Sequence, residues 1–168
     1  MICPDCQSNE LIENKETIRY KESGLSNVAL QNVLVRKCPG CGNKLVSIPS
    51  LEGLHRSIAV VLINKPERLV SEEIVFLRKS LGWSKTDFAK KFHVRQEQVS
   101  RWESNLHPVK MKIQNELLLR TIVAKGQKIE DYEDHMEEIA SKEPCGKSFL
   151  SMLFNHKKWE TRFPLCHC

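Results

Sequence analysis

The sequence contains no run approaching the roughly 18 consecutive apolar residues that a membrane-crossing helix needs, which points away from a membrane partner. Its first residues, MICPDCQSNE, lack the basic, apolar, small-residue order of a secretory signal, so a cytoplasmic location is expected. Charge of one sign is also scarce: 26 Lys and Arg against 21 Asp and Glu leave a formal +5. No stretch places a nucleophile, a general base and an orienting group in a recognisable pattern, so an enzyme is not expected. Apolar residues are not depleted. A content of 40% hydrophobic and 28% charged residues over 168 positions fits one ordinary folded domain or two small ones.

What is plentiful is cysteine, with seven residues. Four of them form two C-x-x-C pairs, Cys3 and Cys6 in CPDC and Cys38 and Cys41 in CPGC. In a reducing cytosol, paired cysteines serve as metal ligands or redox thiols more often than as disulfides. Two intervening residues let both thiolates of a tight turn point at one ion, and a tetrahedral ion needs two such turns. Pro4 and Pro39 suit those turns, and Gly42 can take the positive φ that lets backbone N–H groups face the sulfurs. A thioredoxin-like redox pair, or four unrelated thiols, is the alternative. The doubled pair favours one structural Zn2+ per chain, held by Cys3, Cys6, Cys38 and Cys41. Between the pairs, Thr17, Ile18 and Tyr20, then Val28, Leu30, Val33 and Val35, read as strands around Ser23 and Gly24. Residues 1–47 are expected to form a small β-rich zinc ribbon whose stability comes largely from its metal.

Ile48-Pro49-Ser50 leads into Leu51, Leu54, Ile58, Val61 and Leu62, a helical stripe that stops before Pro66 and makes residues 48–70 a linker helix packed on its neighbours. His55 lies one position off that stripe, as a surface or half-buried histidine. Residues 71–124 carry the densest pattern. Ser71, with Glu73 following, opens a helix bearing Ile74, Leu77 and Leu81, which Gly82 ends. Ser84 caps a second helix bearing Phe88, Ala89 and Phe92. After a break at His93 and Val94, RQEQVSRWE gives a third helix with Val99 and Trp102 on one face. Pro108 breaks the chain, and a fourth helix offers Met111, Leu117, Leu118, Ile122 and Val123 to close the core. This is the layout of a helix-turn-helix.

Residues 71–128 hold 12 Lys and Arg against 6 Asp and Glu, a local positive excess that suits a polyanion. Arg95, Gln96, Glu97, Gln98 and Arg101 lie away from the apolar face of the third helix. In a major groove, arginine donates to guanine, glutamine pairs with adenine and glutamate accepts from cytosine. Lys85, Lys90 and Lys91 would meet phosphates and add affinity without sequence choice. A merely solvated polar face is the alternative; helix lengths, turn and inward Trp102 together favour double-stranded DNA. One such unit reads too few base pairs to be selective, so a homodimer on a palindromic operator is expected.

The stretch FLRKSLGWSKTDFAKKFHVRQEQVSRWE resembles the Xre-type, phage-repressor-like helix-turn-helix. Joined to the N-terminal CPDC and CPGCG, it resembles the MqsA antitoxins with their YgiT-type zinc finger, over roughly residues 1–124. The resemblance implies a structural zinc on Cys3, Cys6, Cys38 and Cys41 and a zinc domain that contacts a toxin. It further implies a helix-turn-helix that dimerises on a palindromic operator controlling its own operon. By position, Arg95, Gln96, Glu97 and Arg101 would read bases, with Ser84 and Lys85 near phosphate. Glu97 stands where the family often has a small polar residue, so the operator sequence does not carry over. A standalone zinc-containing Xre-type regulator without a toxin is the alternative reading, and a metal- or thiol-dependent enzyme the third.

The expected fold class is α+β: a β-rich ribbon, then an all-α helix-turn-helix domain over residues 71–124, then a helical C-terminal extension over residues 125–168 made of an amphipathic helix and a tail of unassigned structure. In that extension Ile129, Tyr132, Met136 and Ile139 have helical spacing within an acidic run. Cys145, His156, Cys166, His167 and Cys168 are potential ligands of a second metal, though without paired-turn geometry.

Overall fold

The computed structural model describes residues 1–127 and 149–162. The alternating segments form β1 (Ile12–Arg19) and β2 (Val28–Lys37), antiparallel from Ile12 opposite Lys37 to Arg19 opposite Ala29. A 3-10 turn at Lys21–Ser23, followed by Gly24, reverses the chain between them. The register shifts between Glu16 and Ile18, where Asn32 of β2 takes φ 61° as the extra residue of a bulge. That inserted residue changes the parity of β2, which is how Val28, Leu30, Val33 and Val35 all come to be buried.

The other edge of β2 is divided between two partners. Its second half pairs antiparallel with β3 (Lys44–Ser47), and its first half pairs parallel with β4 (Leu150–Asn155). β4 continues into β5 (Lys158–Arg162) through a two-residue turn in which His156 (φ 43°) and Lys157 (φ 64°) are both left-handed, as a type I′ hairpin requires. This hairpin lies in the tail of the C-terminal extension, whose structure the sequence leaves unassigned. The stripe from Ile129 to Ile139, and with it the expected amphipathic helix, lies outside the described residues.

α1 (Leu51–Asn64) buries Leu54, Ile58, Val61 and Leu62 as expected, and also Ala59 and Ile63, while Leu51 is 48% exposed. It is buried on several sides because the hairpin returns against it. The Trp159 Nε1 donates to the Pro49 carbonyl at 3.0 Å, and Ser57 Oγ donates to the Trp159 carbonyl at 3.3 Å. One apolar core therefore runs from Tyr20 and Leu30 through Ile58 and Leu62 to Phe88 and Trp102, and includes Leu150, Met152 and Trp159. This core runs across the boundaries expected at 47/48 and 70/71. Cys3, Leu11 and Cys38, flanked by Cys6 and Leu45, form a separate small cluster.

Four further helices follow: α2 (Ser71–Ser80), α3 (Lys85–Lys91), α4 (Gln96–Trp102) and α5 (Ile113–Gly126). α2 starts at Ser71, but its hydroxyl donates to the Ser104 carbonyl at 2.9 Å, and Glu73 satisfies the Val70 N–H instead. Gly82, at φ 71°, turns the chain out of α2. α5 differs most from expectation. Leu119 and Val123 face the core, Leu118 is 44% exposed, and the space beside them is taken by Glu116 and Arg120, an ion pair at 2.9 Å with both side chains at most 1% exposed. Arg120 donates to the carbonyls of Ile63, Lys65 and Glu67, while Glu116 accepts from the Leu69 N–H and Arg68 Nε. This network clamps the α1–α2 connection, whose backbone would otherwise be buried without partners.

Candidate nucleic-acid interface and metal centre

The two C-x-x-C segments form matching knuckles. In each, the residue after the second cysteine is left-handed and its N–H returns to the carbonyl of the first: Gln7 (φ 53°) to Cys3 and Gly42 (φ 73°) to Cys38, both at 3.0 Å. Gly42 reaches this conformation without a Cβ penalty; Gln7 occupies the same place at a cost, and carries no sequence signal for it. The knuckles face each other so that the four Sγ atoms lie within 4.8 Å of one another, with Cys3 to Cys41 at 3.6 Å and Cys6 to Cys38 at 3.5 Å. A tetrahedral ion with sulfur bonds near 2.3 Å sets its sulfurs about 3.8 Å apart, so the four donors fit a metal.

Electrostatics points the same way. The Ser8 backbone N–H and the neighbouring thiols bring Cys6 down to about 6. Although the Asn43 N–H favours ionisation of Cys41, Cys38 and the other thiols push it up to about 12. Four thiols this close cannot all ionise against one another, and a bound cation removes the conflict. Among the described residues this is the one group of Cys, His, Asp and Glu side chains with such a geometry. His156 sits exposed in the β4–β5 turn, and Cys145, Cys166, His167 and Cys168 lie outside the described residues.

α3 and α4 form the second site. Ser84 caps α3: its Oγ accepts from the Asp87 N–H at 3.1 Å, and the Asp87 carboxylate accepts from the Ser84 N–H and hydroxyl. The Ser84 contacts hold the Asp87 carboxyl below its ordinary value. Phe88 and Ala89 are buried; His93 (φ 52°) makes the turn, and Val99 and Trp102 fix α4 to the core, Trp102 lying 6.0 Å from Phe88. Arg95 is the N-cap of α4 rather than part of it. Arg95, Gln96, Glu97 and Arg101 are exposed, as are Ser84 and Lys85, whereas Gln98 is half-buried.

Two cations are already engaged. Lys85 Nζ lies 3.7 Å from Glu103, which Arg78 of α2 grips through Nε and Nη2. Lys91 sits over the Trp83 ring, 4.9 Å from its centroid. Lys90 is exposed. Thr86, which carried no sequence signal, donates through Oγ1 to Gln96 Oε1 at 3.4 Å, joining the first turns of α3 and α4.

Among the described residues no helix is long and apolar enough to cross a membrane. No curated protein and no solved structure matches the chain. Residues 76–113, from α2 to the first residue of α5, match the family model described as helix-turn-helix. The chain thus carries an Xre-type helix-turn-helix, the DNA-binding unit of transcription regulators.

Proposed function

We propose that this chain is a sequence-specific transcriptional repressor that binds a palindromic operator as a homodimer, with one structural Zn2+ in each ribbon. We further propose that it is the antitoxin of a type II toxin–antitoxin operon, which it autoregulates while neutralising the toxin by direct binding. The observation that carries the DNA reading is the split of α4: Val99 and Trp102 point into the core while Gln96, Glu97 and Arg101 point out beside the start of α3.

Arg101 would donate a bidentate pair to guanine, Gln96 would read adenine, and Glu97 would accept from the cytosine amine. Ser84 and Lys85, with Lys90, would meet phosphates and fix register. Gln98, half-buried, packs at the edge of this surface. Four thiolates suit zinc, whose d10 shell brings no redox chemistry and serves to hold the knuckles together. The toxin role is supported by the pairing of such a ribbon with an Xre-type unit. It is also supported by the exposed apolar side chains of Met1, Ile2 and Ile12 beside the knuckles, a surface suited to a protein partner.

Selection of randomised duplexes by the full chain should enrich a two-fold symmetric sequence bound by two chains. Co-expression with the product of the adjacent reading frame should give a stable complex and relieve its growth arrest. A neighbour that neither arrests growth nor binds would reduce the proposal to a regulator without a toxin.

A further inference from the structure

Two sulfur–sulfur contacts run between the knuckles. Cys41 Sγ lies 3.6 Å from Cys3 Sγ, and Cys6 Sγ lies 3.5 Å from Cys38 Sγ, so each contact takes one cysteine from each C-x-x-C segment. Each also joins unlike environments: Cys3 and Cys38 are buried, whereas Cys41 is exposed and Cys6 half-buried. An accessible thiolate beside a sheltered one is the arrangement of a sulfur that an oxidant attacks and a sulfur that resolves the product. Sulfurs this near close to a disulfide by small side-chain shifts.

We propose that the cysteine centre is a peroxide-sensitive switch of the ribbon: oxidation releases the zinc and joins the knuckles by the disulfides Cys3–Cys41 and Cys6–Cys38. The inference rests on the zinc reading above. In the first step the exposed Cys41 thiolate attacks hydrogen peroxide; an S–O bond forms, the O–O bond breaks and hydroxide leaves. The Cys3 thiolate then displaces hydroxide from the sulfenic sulfur and forms the S–S bond. Two thiolates have given two electrons to one peroxide, whose oxygens leave as two waters once two protons are taken up. The ion keeps two of its four sulfurs and dissociates. A second peroxide joins Cys6 and Cys38 in the same way. The change falls on the knuckles, whose small cluster is separate from the main core, so the ribbon beside Met1, Ile2 and Ile12 is altered while the helices keep their packing.

The test uses the full-length chain with Cys145→Ser, Cys166→Ser and Cys168→Ser, which of the seven cysteines leaves the four knuckle thiols. The zinc-loaded protein is treated with hydrogen peroxide, released zinc is read with a metal-sensitive dye, and unreduced tryptic peptides are mapped by mass and fragmentation. Trypsin separates residues 1–15, with Cys3 and Cys6, from residues 38–44, with Cys38 and Cys41, so a bridge between knuckles links two peptides and a bridge within a knuckle does not. The expected result is release of about one zinc per chain, the two peptides in one linked species, and a retained helical signal in circular dichroism. Dithiothreitol with added zinc should restore the metal. Peptides each closed on themselves, or Cys3 joined to Cys38, overturn the pairing. Zinc that stays bound through an excess of peroxide, or thiols carried to sulfinic acid without a disulfide, overturns the switch while leaving the zinc reading intact. A reduced protein that holds no zinc removes both the inference and the reading beneath it.

Discussion

Two residues separate the kinds of work expected of the helix-turn-helix, and a third, in α1, reports on the core. Trp102 is 2% exposed against Phe88, so Trp102→Ala should destabilise the fold by about 3–5 kcal/mol, seen as a lowered melting temperature, rather than change sequence choice. Lys85→Ala should weaken binding to all duplexes alike and reduce the salt slope by about one, if Lys85 leaves Glu103 for a phosphate. His55 reports on the core instead. Burial holds it below its ordinary 6.5, and its Nε2 lies 2.8 Å from the Tyr20 hydroxyl. The unfolded chain therefore binds this proton more readily, and stability should fall as pH drops below about 6.5. Melts of His55→Gln should show a shallower decline over that window; an unchanged slope would remove His55 from the account. At this scale the sequence was legible where chemistry forces a residue type, as at Gly42, Gly82 and Ser84. It was illegible at Gln7 and His93, whose left-handed backbones are imposed by the knuckle and the turn around them.

Elements held together by contacts close in sequence were readable from periodicity: β2, α1 and the first three helices of the helix-turn-helix fall close to where the pattern puts them, while β1 runs from Ile12 to Arg19 and only its end, Thr17 and Ile18, was read. α5 was readable as a helix but not in its burial. Counting apolar residues hides Glu116 and Arg120, because their burial depends on the carbonyls of residues 63–67 coming within reach. Arg120→Met, which leaves those carbonyls without the guanidinium that they share and takes one of its cationic partners from buried Glu116, should cost several kcal/mol, on the order of 3–5, measured by denaturant unfolding. The zinc knuckles make a contrasting prediction. Cysteines 3 and 38 belong to a cluster separate from the main core. Cys38→Ser should abolish the roughly one equivalent of zinc expected per chain and loosen the two knuckles, while far-ultraviolet circular dichroism retains the helices. Zinc-free, reduced protein with ordered knuckles would contradict it.

Across the whole molecule, the β4–β5 hairpin is the feature sequence concealed. Leu150, Met152, Phe154 and Trp159 do alternate, but the turn between them lacks glycine, and β4 takes its place by a parallel pairing with a strand more than a hundred positions earlier. Since Trp159 shares one core with Trp102, Trp159→Ala should lower the stability of the helices along with the sheet in a single transition. The same core anchors α4 through Val99 and Trp102, the base that the proposed reading of DNA needs. The most direct measurement is therefore binding of the full-length wild type and Arg101→Ala to the selected operator and to a scrambled duplex, at two salt concentrations. The account predicts that Arg101→Ala loses about 1–3 kcal/mol on the operator and little on the scrambled duplex. Equal losses on both duplexes, with the fold intact, would contradict the assignment of α4 as the element that reads sequence.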